Sequence, residues 1–200
     1  MQLPSFPETS HALVQALLPK TDAELVYLYQ RHPEMGQYFA AIFCRYGHVV
    51  YSLMANASPS PVQTDFLFVK IWERVFNELR SLDYRSMESK FPLQTWLLNM
   101  AALSITQILL PPPEQIQYVL AEVSPVFWCY LNQSLNLLPG NLRLVMILTE
   151  TFHWNPNRIA AYLQTEGEMV DAEQVLVLVE QAYAKISATM PADIREIYLT

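Results

Sequence analysis

Apolar side chains recur along this chain at the three-to-four-residue spacing of helices buried on one side. The clearest stretch is Phe68, Ile71, Trp72, Val75, Phe76 and Leu79, which fall at i, i+3, i+4, i+7, i+8 and i+11, with Lys70, Glu73, Arg74, Asn77 and Glu78 between them. That pattern predicts one amphipathic helix. Upstream, Thr21 and Glu24 form a capping box ahead of an apolar-periodic run from Leu25 to Met54. The run is expected to break near His32-Pro33 and again near Gly47, giving two or three helices. Asn56 to Pro61 reads as a loop, being rich in Ser, Pro and Ala. Asp83 to Lys90 reads as a polar connection, after which Pro92 opens a helix running to about Leu110.

Leu110-Pro-Pro-Pro-Glu114 ends that helix, because three prolines remove three backbone donors and fix an extended path. Residues 111–115 are therefore expected to link two helical domains, 1–110 and 116–200. In the second, Ser124-Pro125 and Asn155-Pro156 are cap-plus-first-turn pairs, and Asp171 with Gln174 makes a capping-box variant. The expected helices there are roughly 116–122, 125–137, 140–152, 156–164 and 171–188.

Composition agrees with an all-α fold. There are 4 glycines, too few for a phosphate-cradling loop or a sheet of hairpins. Charged residues make up only 16% against 52% hydrophobic, so the surface must carry apolar side chains, which favours a protein with a partner. No apolar stretch reaches the roughly 20 residues of a membrane span, and residues Met1 to Glu8 carry no basic residue of a targeting signal. A cytoplasmic protein without membrane contact is expected. Cys44 and Cys129, each within a long apolar segment, read as buried free thiols. His11, His32, His48 and His153 are scattered, with no nucleophile or ligand at motif spacing. No enzymatic activity, cofactor, metal or small-molecule substrate is expected; His153-Trp154 reads as a helix-end contact.

The net charge of −7 is uneven. Residues 1–110 hold eight Lys/Arg against nine Asp/Glu, whereas residues 111–200 hold four against ten, so nucleic acid would be repelled by the second half.

The segments LVYLYQRHPEMGQYFAAIFCRYGHVVYSL, FVKIWERVFNEL and FPLQTWLLNMAALSITQIL, taken in order, resemble the first conserved domain of a small bacterial sigma-70-family factor of the extracytoplasmic-function kind. LNLLPGNLRLVMILTETFHWNPNRIAAYL resembles the family's second domain, with its Leu-Pro step, Arg, apolar helix and the opening of a helix-turn-helix. The resemblance covers about residues 25–200 and implies a region-2-like bundle followed by a region-4-like helix-turn-helix domain. It also implies docking on RNA polymerase core and promoter opening by the first domain, and major-groove reading by the second.

Set against residue types, these tasks divide. For docking, Phe68 and Trp72 match the family's aromatic pair, which places Asp65 and Phe66 where Gln-Glu is common. Simple core packing is the other reading of that pair. Promoter opening needs basic and aromatic side chains, yet Asn99, Ala102 and Gln107 stand where the family often shows Arg, Arg and Asp. Trp96 on the same helix reads either as a base-stacking residue or as core. The recognition helix matches Asp171 to Lys185, after a turn longer than usual that carries Glu166, Glu168, Asp171 and Glu173. A carboxylate roughly 6 Å from a phosphate costs about 1 kcal/mol in a water-like dielectric and about 3 at an effective value near 20. Only a weak nucleic-acid set remains: Trp96, Asn99, Arg158 and Gln174. The apolar run Val175 to Val179 encircles its helix, so either Val175, Val177 and Val179 meet a protein partner or the helix is fully buried.

Three functions follow as expectations. The first is a sigma-like protein that contacts RNA polymerase with eroded DNA surfaces. The second is a helical adaptor for an unrelated protein, and the third a working sigma factor.

Overall fold

The computed structural model describes residues 3–84 and 92–199. Every regular element among them is helical, so the fold is all-α. Most of the expected Asp83–Lys90 connection lies outside the described residues. The chain divides into two compact units, residues 1–130 with 191–200, and residues 131–190.

In the first unit, α1 (Ala12–Gln15), α2 (Asp22–Arg31) and α3 (Gln37–Ala57) follow a 3₁₀ turn at Pro7–Thr9. The Thr21 box forms as expected: Thr21 N–H donates to Glu24 Oε2 at 2.7 Å, and Glu24 N–H to Thr21 Oγ1 at 3.2 Å. Those bonds favour the charged form and hold the Glu24 carboxyl below its usual range. α2 stops at His32, before Pro33. α3, however, runs unbroken through Gly47, because the apolar face on both sides of that residue is buried. A Cβ at Gly47 would sit 3.5 Å from Leu3 and 3.6 Å from Phe43, in ordinary contact.

α4 (Pro61–Glu78) begins at the last residue of the expected loop, with Ser60 Oγ accepting from Gln63 N–H and Pro61 at the first helical position. α3 and α4 pack through interlocked rings. Phe43 meets Trp72 at 4.9 Å, Phe39 meets Phe76 at 5.0 Å and Tyr51 meets Phe68 at 5.1 Å, all edge to face. α5 (Leu93–Gln107) covers this layer with Leu93, Leu97, Met100 and Ala101.

The proline run does not end the first unit. Gln63 Nε2 donates to Pro111 O at 3.0 Å, and Pro113–Gln115 makes a 3₁₀ turn. Residues 116–122 form no helix, yet Leu120 is buried, and so are Val126, Cys129 and Tyr130 at the start of α6 (Pro125–Asn136). Their burial outweighs the break that the prolines suggest, and the unit boundary falls inside α6, between Tyr130 and Leu131.

The second unit holds α7 (Gly140–Met146), a π turn at Ile147–Thr151, α8 (Pro156–Thr165) and α9 (Ala172–Thr189). The expected helix over 140–152 thus changes character halfway, closing with Phe152 N–H on Ile147 O at 3.2 Å. His153 then takes φ 51, a left-handed conformation. Asn155 Oδ1 caps α8 through Arg158 N–H at 2.9 Å, and the Asp171–Gln174 box caps α9. The core is Val145, Leu148, Ile159, Ala160, Leu163 and Val175.

A last helix, α10 (Ala192–Leu199), belongs to the first unit. Gly36, the N-cap of α3, has no side chain to satisfy the free amides there. Asp193 does so instead, accepting from Gln37 N–H at 2.8 Å.

Candidate functional site

The site residues expected on α4 turn inward. Phe68 and Trp72 have no exposed surface, because they fill the aromatic layer between α3 and α4, so neither can touch a partner. Asp65 is half-buried and accepts from Tyr51 OH at 3.0 Å; burial raises its carboxyl above the ordinary value. The remaining polar side chains of α4 are engaged largely within the unit. Lys70 pairs with Glu73 at 2.8 Å and Arg74 with Glu78 at 2.7 Å. Arg74 also reaches Ser104 and Gln107 on α5, and Glu73 accepts from Trp128 Nε1. A face that sequence reading assigns to polymerase docking is in large part holding α5 and α6 in place.

On α5, Trp96 is half-buried and Asn99 exposed. The helix contains no Lys or Arg, and Arg74 Nη1, its nearest cation by hydrogen bonding, is 2.9 Å from Gln107 Oε1. The helix has few means of holding single-stranded phosphate.

In the second unit α8 and α9 are joined by residues 166–171, more than the three or four of a standard helix-turn-helix. Gly167 takes φ 90 there, Glu168 N–H returns to Leu163 O at 3.0 Å, and Gln164 Nε2 donates to Val170 O at 2.9 Å. These bonds turn the connection outward, and Glu166, Glu168, Asp171 and Glu173 are all exposed.

The three valines of α9 separate. Val175 is wholly buried in the core, which corrects its assignment to a partner surface: one turn of the apolar run must face α7 and α8. Val179 is half-buried against the same core. Val177 is 47% exposed, beside Leu176 at 52%. Gln174 is occupied as the far half of the capping box. Arg158 is exposed, with its guanidinium 4.0 Å from the Trp154 ring, which also meets Tyr162 edge to face at 5.9 Å.

Two features escaped sequence reading. In the Trp154, Arg158 and Tyr162 stack, only Arg158 and Tyr162 share a helix at i, i+4; Trp154 precedes the Asn155 cap, so helical spacing does not place its ring. The exposure of Met169, at 94%, was not legible either, since nothing in its neighbours distinguishes a displayed apolar side chain from a packed one.

Both cysteines are free, and burial pushes the Cys44 thiol up to about 12 and that of Cys129 well above its ordinary value. Among the described residues no three His, Cys, Asp or Glu gather where they could hold a metal ion, and no helix is long and apolar enough to cross a membrane.

No protein-family model matches the chain, and no curated protein matches it.

Proposed function

We propose that the chain is a sigma-70-like bacterial transcription protein without catalytic activity. It acts in the cytoplasm through protein–protein contacts, its DNA-reading surfaces having eroded. The observation that carries this reading is the outward surface of the helix-turn-helix. The turn displays three carboxylates, α9 displays Glu173, Leu176 and Val177, and Lys185 is the one cation of that helix. Base reading needs the reverse, donors and cations at the start of the recognition helix. The order and spacing of the segments that resemble the sigma domains support the family half of the proposal.

Retention of the purified protein on immobilised RNA polymerase core at moderate salt is the expected result. Absence of retention refutes the polymerase half. The second reading, a helical adaptor for an unrelated protein, draws on the internal engagement of much of the polar face of α4, which leaves less of it for polymerase. Promoter-directed transcription with core enzyme would instead establish a working sigma factor.

A further inference from the structure

Two neighbouring hollows lie on the second unit and share Val170 and Leu178. The larger, about 490 Å³, is bounded by Leu144 of α7, Tyr162 and Leu163 of α8, and Leu178 of α9. The smaller, about 310 Å³, lies between Met169 and Val177. Together they form an apolar groove with two sockets, a shape that takes two side chains from one face of a helix. Met169 stands 94% exposed at its edge, a side chain that adapts to varied partners.

The charge around the groove is of one sign. Glu166 and Glu168 line the larger hollow, Asp171 caps α9 and Glu173 follows in its first turn, and no Lys or Arg lines either hollow. Across residues 131–190 there are three Lys/Arg against six Asp/Glu, so the whole unit reinforces that sign. Nucleic acid and anionic membrane are repelled by such a rim, and a second copy of this chain would bring carboxylates against carboxylates. A helix with an apolar ridge flanked by Lys or Arg meets both requirements.

We infer that the groove formed by α7, α8, the acidic turn and α9 binds a cationic amphipathic helix of another protein. This rests on the protein-contact half of the proposed function. Apolar residues of the helix fill the sockets beside Leu178, and its flanking cations pair with Glu166 and Glu168.

The test uses the full chain and a fluorescein-labelled synthetic helix with Leu on one face and Lys on its flanks. Two control peptides accompany it, one with Glu in place of every Lys and one of the same composition in scrambled order. Saturable binding of the Lys peptide, at least about tenfold tighter than either control at low salt, is expected. The Glu166→Gln/Glu168→Gln pair and the Met169→Ser/Val177→Ser pair should each weaken binding about tenfold while the melting temperature holds, since all four side chains are exposed. Equal binding of the Lys and Glu peptides, no saturable binding, or a dimer that the Met169→Ser/Val177→Ser pair turns into monomer would each overturn the assignment. Polymerase retention is measured separately: if core is not retained but the peptide binds, the sigma-like reading fails and the groove stands. If core is retained and the peptide does not bind, the groove alone fails.

Discussion

Glu8 shows how a single side chain can set the stability of the first unit. It is fully buried, accepts a hydrogen bond from Ser124 Oγ, and has Tyr198 close by, whose hydroxyl lies 3.4 Å from the same Ser124 oxygen. Burial raises its carboxyl above the ordinary 4.5, more than these hydrogen bonds lower it. Above 4.5 the unfolded chain loses this proton first, so the native state binds more protons and stability falls as pH rises toward the raised value. Glu8→Gln keeps an acceptor for Ser124 and removes the ionisable group. Thermal melts should show the variant more stable than the parent at about pH 7, with the difference vanishing at about pH 4. Parallel melting curves across that range would show that Glu8 ionises freely in the folded protein.

At the scale of elements, the docking of α10 on the start of α3 rests on one missing methyl group. A Cβ on Gly36 would lie 2.2 Å from Ile194 Cγ1 and 2.3 Å from its Cδ1. Gly36→Ala should therefore cost about 1–3 kcal/mol by overpacking. The cost should shrink sharply in the Ile194→Ala background, where both clashing atoms are gone. Additive losses in denaturant titrations of the two single variants and the double would mean that α10 shifts without strain. The requirement at Gly36 could not be read from its neighbours, because the partner is 158 positions away in the chain. The capping boxes at Thr21 and Asp171 were legible, since every participant lies within three residues.

For the molecule as a whole, the sign of the charge opposes the approach of nucleic acid. The net charge of −7 combines with three exposed carboxylates in the connection between α8 and α9, and a fourth, Glu173, in the first turn of α9. The protein should leave promoter-sized duplex unshifted in a gel at about 0.15 M salt, even at micromolar concentration. A complex forming there at submicromolar protein would contradict the eroded-surface reading. Loss of duplex binding is compatible with both the sigma-like and the adaptor readings, so polymerase retention remains the measurement that separates them.

What the sequence determined by itself is local: the all-α class, the caps, the ends of α2, the amphipathic stripe of α4 and the sign of the charge on the turn. Each depends on residues within a few positions or on simple counts. Which apolar residues are displayed was decided by tertiary packing. Helical periodicity makes Phe68, Trp72, Val175 and Val177 look alike, yet three are sealed in cores and Val177 faces outward. The same holds for the unit boundary, because the prolines at 111–113 mark a local break in the helix while the burial of Leu120, Val126, Cys129 and Tyr130 carries the first unit past it. Contacts between residues distant in the chain depend on which faces meet, and no spacing along one helix records the face of another.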